Sequence, residues 1–258
     1  MTTSRQETYY HVYRNRQSWL HHMAYMRLAK VLGILHALDR QGVSLDGKYV
    51  LDYGFGAGTF FRHCPATAFL HGLELDAVHV EQVVKTLRAK KYEHVDLRAV
   101  DETQWAENEL LRRQYDVVVA SHVLEHIKAP ADLLARLMAC VRPGGCLVAA
   151  LPIHERVAHQ NHECVVDDPL VREWAALAGA EIADYFEFDT PTQWALPVFE
   201  KKSPAGRIAA QSLSLFLGFC ATAAGRRLWL RLDGLAGRIR HSEPGQAVYV
   251  LRPGRETA

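Results

Sequence analysis

Apolar residues recur along this chain with two alternating periods. From about Ser18 to Arg40, the positions Trp19, Leu20, Met23, Met26, Leu28, Val31, Leu32 and Leu35 fall mostly three or four apart, which predicts an amphipathic helix. The turn DRQGVSLDGK follows, then a short apolar strand, KYVLDYG. After three glycines, TFFRHC reads as a first helical turn that Pro65 cuts short. AFLHGLELD is a second strand ending on two acids, Glu74 and Asp76. Ala77 to Lys91 is predicted as a helix with Val80, Val83, Val84 and Leu87 on one face. VDLRAV is a third strand, and DVVVASHV, rich in β-branched residues, a fourth that reads as buried on both faces. A helix over Pro130 to Val141 is expected to stop at Arg142-Pro143-Gly144-Gly145. CLVAALP, a helix over Pro169–Ala178, AEIADYFEF and QAVYVLRP complete the series as a fifth strand, a helix, and strands six and seven.

Strands and helices alternate from residue 48 to 190, which predicts an α/β fold: a parallel sheet covered by helices on both faces. One segment breaks the rhythm. Ser203 to His241 reads as helical and separates strands six and seven. Its first half, IAAQSLSLFLGFCATAA, is uncharged; its second half sets Arg226, Arg227, Arg231, Arg238 and Arg240 against Asp233.

Composition changes this picture little. The 258 residues are 49% hydrophobic, enough for one large domain with a sizeable core or two small ones. A formal charge of +1 gives no electrostatic argument for nucleic acid. The five cysteines form no Cys-x-x-Cys pair, so neither a disulfide framework nor a thiolate metal site is expected. The polar N-terminus lacks an apolar signal core, and no run reaches the ~20 apolar residues of a membrane span. A reduced, cytoplasmic setting is the expectation.

The chemistry starts at VLDYGFGAGTF, where Gly54, Gly56 and Gly58 alternate after a strand. Such a turn lets backbone approach a ligand where a Cβ would collide. A dinucleotide site requires G-x-G-x-x-G; counting from Gly54 meets Thr59 at the third glycine, and counting from Gly56 meets Phe61. The Gly-Lys-Ser/Thr of a Walker loop is missing. Asp52 would repel a phosphate and attract a cation.

VLDYGFGAGTF resembles the first motif, D-x-G-x-G-x-G, of class I S-adenosylmethionine-dependent methyltransferases. LHGLELD resembles that family's acid at the end of strand two, and AVDET its acid after strand three. YDVVVASHVLEHI with VRPGGCLVAALP resembles strands four and five of the ubiquinone- and small-molecule-methylating branch. The resemblance spans about residues 45–190 and implies a Rossmann-like, seven-stranded, mostly parallel sheet. It implies S-adenosylmethionine as cofactor. Glu74 takes the place of the acid on the ribose hydroxyls, with Asp76 as its rival and, on its position, a helix cap. Leu75 packs on adenine, and Asp101, or Glu102 beside it, meets the adenine amino group. Gly54, Gly56 and Gly58 approach the methionine portion, Asp52 acts through water or by orienting the turn, and Ser121 and His122 lie beside the sulfonium. Tyr53 and Phe55 depart from the family in being larger than the usual residues there.

The acceptor side is less determined. A hydroxyl or ammonium nucleophile must lose a proton, which calls for a base near neutrality; a carboxylate needs none. His126 occupies the Glu-His position of related enzymes, and His154, His159 and His162 lie in the loop after strand five. His126, His154 and His162 are the candidate bases. His122 and His126 have a helical ligand spacing but straddle the exit from strand four, so no metal is expected. Tyr9, Tyr10 and Tyr13 either cap the sulfonium as part of a lid or anchor a helix.

The expected organisation is one domain over 1–258: an N-terminal helical lid (1–45), a cofactor-binding core (46–200), a helical insertion (201–245) and a last strand (246–254). The expected reaction is methyl transfer to an oxygen of a small molecule, with nitrogen second and carbon third. Two rivals from other classes are a nicotinamide-dependent oxidoreductase and a non-catalytic cofactor-binding scaffold. The insertion is a candidate roof of the active site, a homodimer face, or a basic surface for an acidic substrate or membrane.

Overall fold

The computed structural model describes residues 24–100, 108–154, 162–188, 204–220, 222–240 and 243–254. Seven strands form one sheet: β1 (Tyr49–Tyr53), β2 (Phe69–Glu74), β3 (Val95–Ala99), β4 (Tyr115–Ser121), β5 (Val141–Pro152), β6 (Ala180–Phe188) and β7 (Gln246–Pro253). Their order is β3-β2-β1-β4-β5-β7-β6. β7 runs antiparallel to both its neighbours, and the other pairings are parallel. The helices are α1 (Ala24–Arg40), α2 (Ala77–Ala89), α3 (Pro130–Ala139), α4 (Asp168–Leu177), α5 (Pro204–Phe219) and α6 (Ala223–Arg240).

The central strands are mostly apolar because both faces are covered. On β4, Val117 and Val119 enter one cluster with α1, α2 and Trp229 of α6. Val118 and Ala120 enter the other with the leucines of α3 and Trp174 of α4. The strand order reverses between β1 and β4, and the carboxyl ends of those strands flank the crevice where such sheets take ligands.

Local chemistry ends the elements. Asp76 Oδ1 accepts from the Val78 N–H at 2.9 Å and so caps α2, as its position predicts. Asp167 caps α4 through the Leu170 N–H, and Gly179, at φ +66°, turns the chain out of it. Pro65 confines TFFRHC to a 3-10 turn over Phe61–His63. One boundary differs from expectation. The helix predicted to Val141 stops at Ala139, and Val141 already pairs with Tyr115. Arg142-Pro143-Gly144-Gly145 lies within β5, as an irregularity of register against β4, rather than acting as a separate stop. Between 203 and 241 the described residues form two helices, α5 and α6, with the Thr222 hydroxyl accepting from the Gly225 N–H at the start of the second.

The bulky Phe55 is accommodated by a glycine across the sheet. Phe55 is buried, and a Cβ on Gly72 of β2 would lie 2.6 Å from its Cδ1 and 2.9 Å from Leu97 Cδ2. Gly72→Ala is therefore expected to destabilise the fold by about 1–3 kcal/mol, seen as a lowered midpoint in thermal unfolding, and Phe55→Leu in the same chain is expected to recover part of the loss.

Candidate functional site

The glycine turn leaves β1 with three successive left-handed glycines: φ is +72° at Gly54, +51° at Gly56 and +63° at Gly58. Only glycine adopts this conformation without strain. Packing adds a second constraint, since a Cβ at Gly54 would sit 2.5 Å from Val123 Cγ2, and one at Gly58 2.5 Å from Val83 Cγ1. Gly54 and Gly58 are thus required by the protein's own packing. Gly56 sends its N–H 2.7 Å to Glu74 Oε2.

Glu74 closes the end of β2 and also accepts from the Leu75 N–H at 2.8 Å and the Asp76 N–H at 3.4 Å, both on Oε1. Burial pushes its carboxyl above the ordinary range, and the three N–H donors partly offset that. Leu75, next along, is exposed. Asp52 lies in β1 with 3% of its surface exposed, and its Oδ1 has no hydrogen-bond partner. Desolvation, with the charge of Glu74 behind it, drives the Asp52 carboxyl well above the usual range. A buried carboxylate oxygen without a donor, beside a second carboxylate, is a demand for a cation. An ammonium-bearing and sulfonium-bearing ligand such as S-adenosylmethionine meets that demand, and a phosphate does not.

At the adjacent end of β4, Ser121 closes the strand and His122 turns off it at φ +54°. The His122 N–H bonds the Ala150 carbonyl at 2.8 Å, its Nε2 lies 3.3 Å from Gln246 Oε1, and its Nδ1 lies 3.3 Å from Glu125 Oε1. Burial, with the charge of Lys30 behind it, pulls the His122 imidazole down against the opposing influence of Glu125. Glu125 is completely buried. Burial pushes its carboxyl up, but His122 and His126 together bring it below the ordinary value. Both effects cannot act in full, because a neutral His122 gives Glu125 no counter-charge. We take His122 as neutral, since desolvation dominates there. Glu125 Oε1 then faces His122 Nδ1 at 3.3 Å and His126 Nε2 at 4.0 Å, with no well-aligned hydrogen bond on either carboxylate oxygen.

The loop after β5 completes this cluster. The Glu163 N–H bonds the Glu125 carbonyl at 2.7 Å and sets His162 against His126, with ring centroids 4.9 Å apart and planes at 76°. Ligand-capable atoms of Glu125, His126 and His162 all lie within 4.8 Å of one another. Of the three histidines predicted as bases, His126 and His162 are thus brought together, while His154 is engaged by Glu187 of β6 at 3.1 Å. Glu125 and Gln246 were not foreseen. Glu125 has a local signal in the Glu-His pair; Gln246 has none, because it arrives from β7. Tyr9, Tyr10, Tyr13, Asp101, Glu102 and His159 lie outside the described residues.

Comparison with known proteins agrees with this geometry. The methyltransferase domain family matches residues 19–193. A ubiquinone biosynthesis O-methyltransferase of Shewanella sp. (strain ANA-3) is 31% identical over 113 residues, covering 43% of this chain and 46% of that protein. The chain thus spans about half the length of the curated relatives it matches. Among solved structures, coclaurine N-methyltransferase with N-methylheliamine and S-adenosylhomocysteine superposes at a TM-score of 0.57, with 15% identity over 86% of this chain and 72% of that one. The [4+2]-cyclase SpnF gives 0.57, with 17% identity over 87% and 80%. These two likenesses establish the class I methyltransferase fold.

The Asp52 environment predicts a pH signature in the free protein. A raised carboxyl pKa favours the fold below the ordinary carboxylate range, and that advantage is lost as pH rises through the elevated value. Asp52→Asn should therefore be more stable than the parent in thermal melts, by a margin that widens from acid to alkaline pH. A margin that does not change with pH would refute the assignment.

Proposed function

The chain belongs to the methyltransferase domain family, and on that premise we propose that it transfers the methyl group of S-adenosylmethionine to an oxygen, hydroxyl or carboxylate, of a small molecule. The buried, under-satisfied Glu125 carboxylate facing His126 supports an acceptor that must lose a proton, a hydroxyl before a carboxylate. The ubiquinone O-methyltransferase relatives support it. Nitrogen is the runner-up, in keeping with the coclaurine N-methyltransferase fold likeness, and carbon is third.

Bound S-adenosylmethionine supplies an electrophilic methyl on a positively charged sulfur. The glycine turn and Asp52 would hold the methionine end, Asp52 through water or by orienting the turn. Glu74 keeps free lone pairs after its three backbone bonds, and its two side-by-side oxygens suit the ribose diol. Leu75 packs on adenine, and Asp101 or Glu102 meets the adenine amino group. Ser121 and the neutral His122 wall the sulfonium, where a second positive charge would be repelled.

The acceptor hydroxyl gives its proton to His126, which is half-buried at 30% side-chain exposure. The resulting imidazolium faces the Glu125 carboxylate, so the charge is balanced inside the protein. His162, edge-on to His126, fixes the ring's orientation. In-line displacement asks little more of the protein than this alignment and the exclusion of water. The same cluster supports a second reading, in which Glu125, His126 and His162 would hold a divalent cation, whose chemistry there would be to polarise an acceptor oxygen.

Glu74→Ala is expected to abolish S-adenosylmethionine binding in calorimetry; unchanged affinity would remove the ribose assignment. His126→Ala is expected to lower kcat by about 100-fold or more, followed as S-adenosylhomocysteine release with a panel of phenols, carboxylic acids and amines. Donor affinity should stay nearly unchanged. Wild-type activity that survives a chelator supports the base; activity lost to the chelator and restored by Mg2+ supports the cation.

A further inference from the structure

We propose that α5 and α6 form a docking face for an anionic membrane surface. The helix α6 is anchored by one side only. Arg226, Trp229, Asp233 and Ala236, spaced three and four apart, are buried. The Arg226 guanidinium bonds Asp39 Oδ2 of α1 at 2.6 and 2.9 Å, and Trp229 packs edge-on against Phe188 of β6 at 5.8 Å. An amphipathic helix held in this way ordinarily turns its leucines inward and its acid outward. Here Asp233 is inside and Leu228, Leu232 and Leu235, at i, i+4 and i+7, are 45%, 44% and 53% exposed.

Beside that leucine row runs an arginine row. Arg227, Arg231 and Arg238 are exposed and lie about 100° further round the helix. On α5 the same theme recurs, with Ile208, Leu215 and Phe219 at i, i+7 and i+11, between 61% and 65% exposed. Six of the eleven large hydrophobic side chains exposed among the described residues therefore belong to these two helices. Scattered exposed leucines need no explanation, but rows of them do.

Charge selects the occupant. Residues 204–240 carry six arginines and one acid, the buried Asp233. A second copy of the same face would bring arginine rows together with no exposed acid on these helices to meet them. Anionic lipid headgroups complement the arginines, while the leucines enter the acyl boundary, the arrangement of an interfacial helix. None of the described helices is long and apolar enough to cross a membrane, so the segment lies on the surface rather than through it.

Vesicle flotation tests this with the full chain. Vesicles of phosphatidylcholine with about 30% phosphatidylglycerol should carry the protein, pure phosphatidylcholine vesicles should carry much less, and raising NaCl from about 0.1 to about 0.5 M should release it. The triple variant Arg227→Gln, Arg231→Gln, Arg238→Gln should lower partitioning about 100-fold. Leu228→Ser, Leu232→Ser, Leu235→Ser should lower it as well, with S-adenosylmethionine binding by calorimetry retained in both. No flotation with anionic vesicles, equal flotation with neutral ones, or no effect of either triple variant overturns the proposal. So does light scattering that shows a dimer dissociated by the leucine variant, since a second copy would then cover the face.

Discussion

The hydrogen bond from the Gly56 N–H to the Glu74 carboxylate holds the site together. It ties the apex of the glycine turn to the end of β2. It is possible only because Gly54, Gly56 and Gly58 all take positive φ, which lets the chain double back across the sheet's carboxyl edge. Val123 and Val83 then occupy the spaces that a Cβ on Gly54 or Gly58 would fill, so the turn is packed from both sides. The positions of Asp52 beneath it and Leu75 beside it follow from this one closure.

That closure sets an electrostatic condition. It keeps Asp52 buried and close enough to Glu74 for that charge to add to the cost of ionising it, and Asp52 has an oxygen with no donor. The free protein bears this cost as lost stability, and a cationic ligand relieves it. On our reading, a preference for a sulfonium-bearing and ammonium-bearing nucleoside over a phosphate-bearing one comes from the same residues that make the empty fold less stable.

The exit from β4 meets a parallel condition. Glu125 is wholly buried, and a neutral His122 cannot balance it. The loop after β5 is drawn in by the Glu163–Glu125 backbone bond and supplies His162 against His126. On our reading the proton taken from an acceptor, or a divalent cation, provides the missing charge. Fold likeness alone does not choose the chemistry at this point, since the same architecture is shared with an N-methyltransferase and a [4+2]-cyclase.

Much of this was legible in the sequence because its cause is local. Period-two and period-3.6 patterns, the Asp76 cap, the Pro65 stop and the alternating glycines each act within a few residues, so the element order and the glycine turn could be read directly. The Arg142–Gly145 stretch misled because the pattern of a helix stop is also that of a bulged strand, and only pairing with β4 distinguishes them. What sequence spacing could not supply was anything joining distant segments: Gly72 making room for Phe55, Gln246 reaching His122 from β7, His162 rather than His154 meeting His126, and the leucines of α6 facing outward while its aspartate faces in. By itself the sequence determined the fold class and the glycine turn, since backbone conformation at single positions is enough for those. The tertiary structure decided which side chains share a dielectric environment and which helix face is left uncovered, because burial belongs to the packed assembly and not to any one segment.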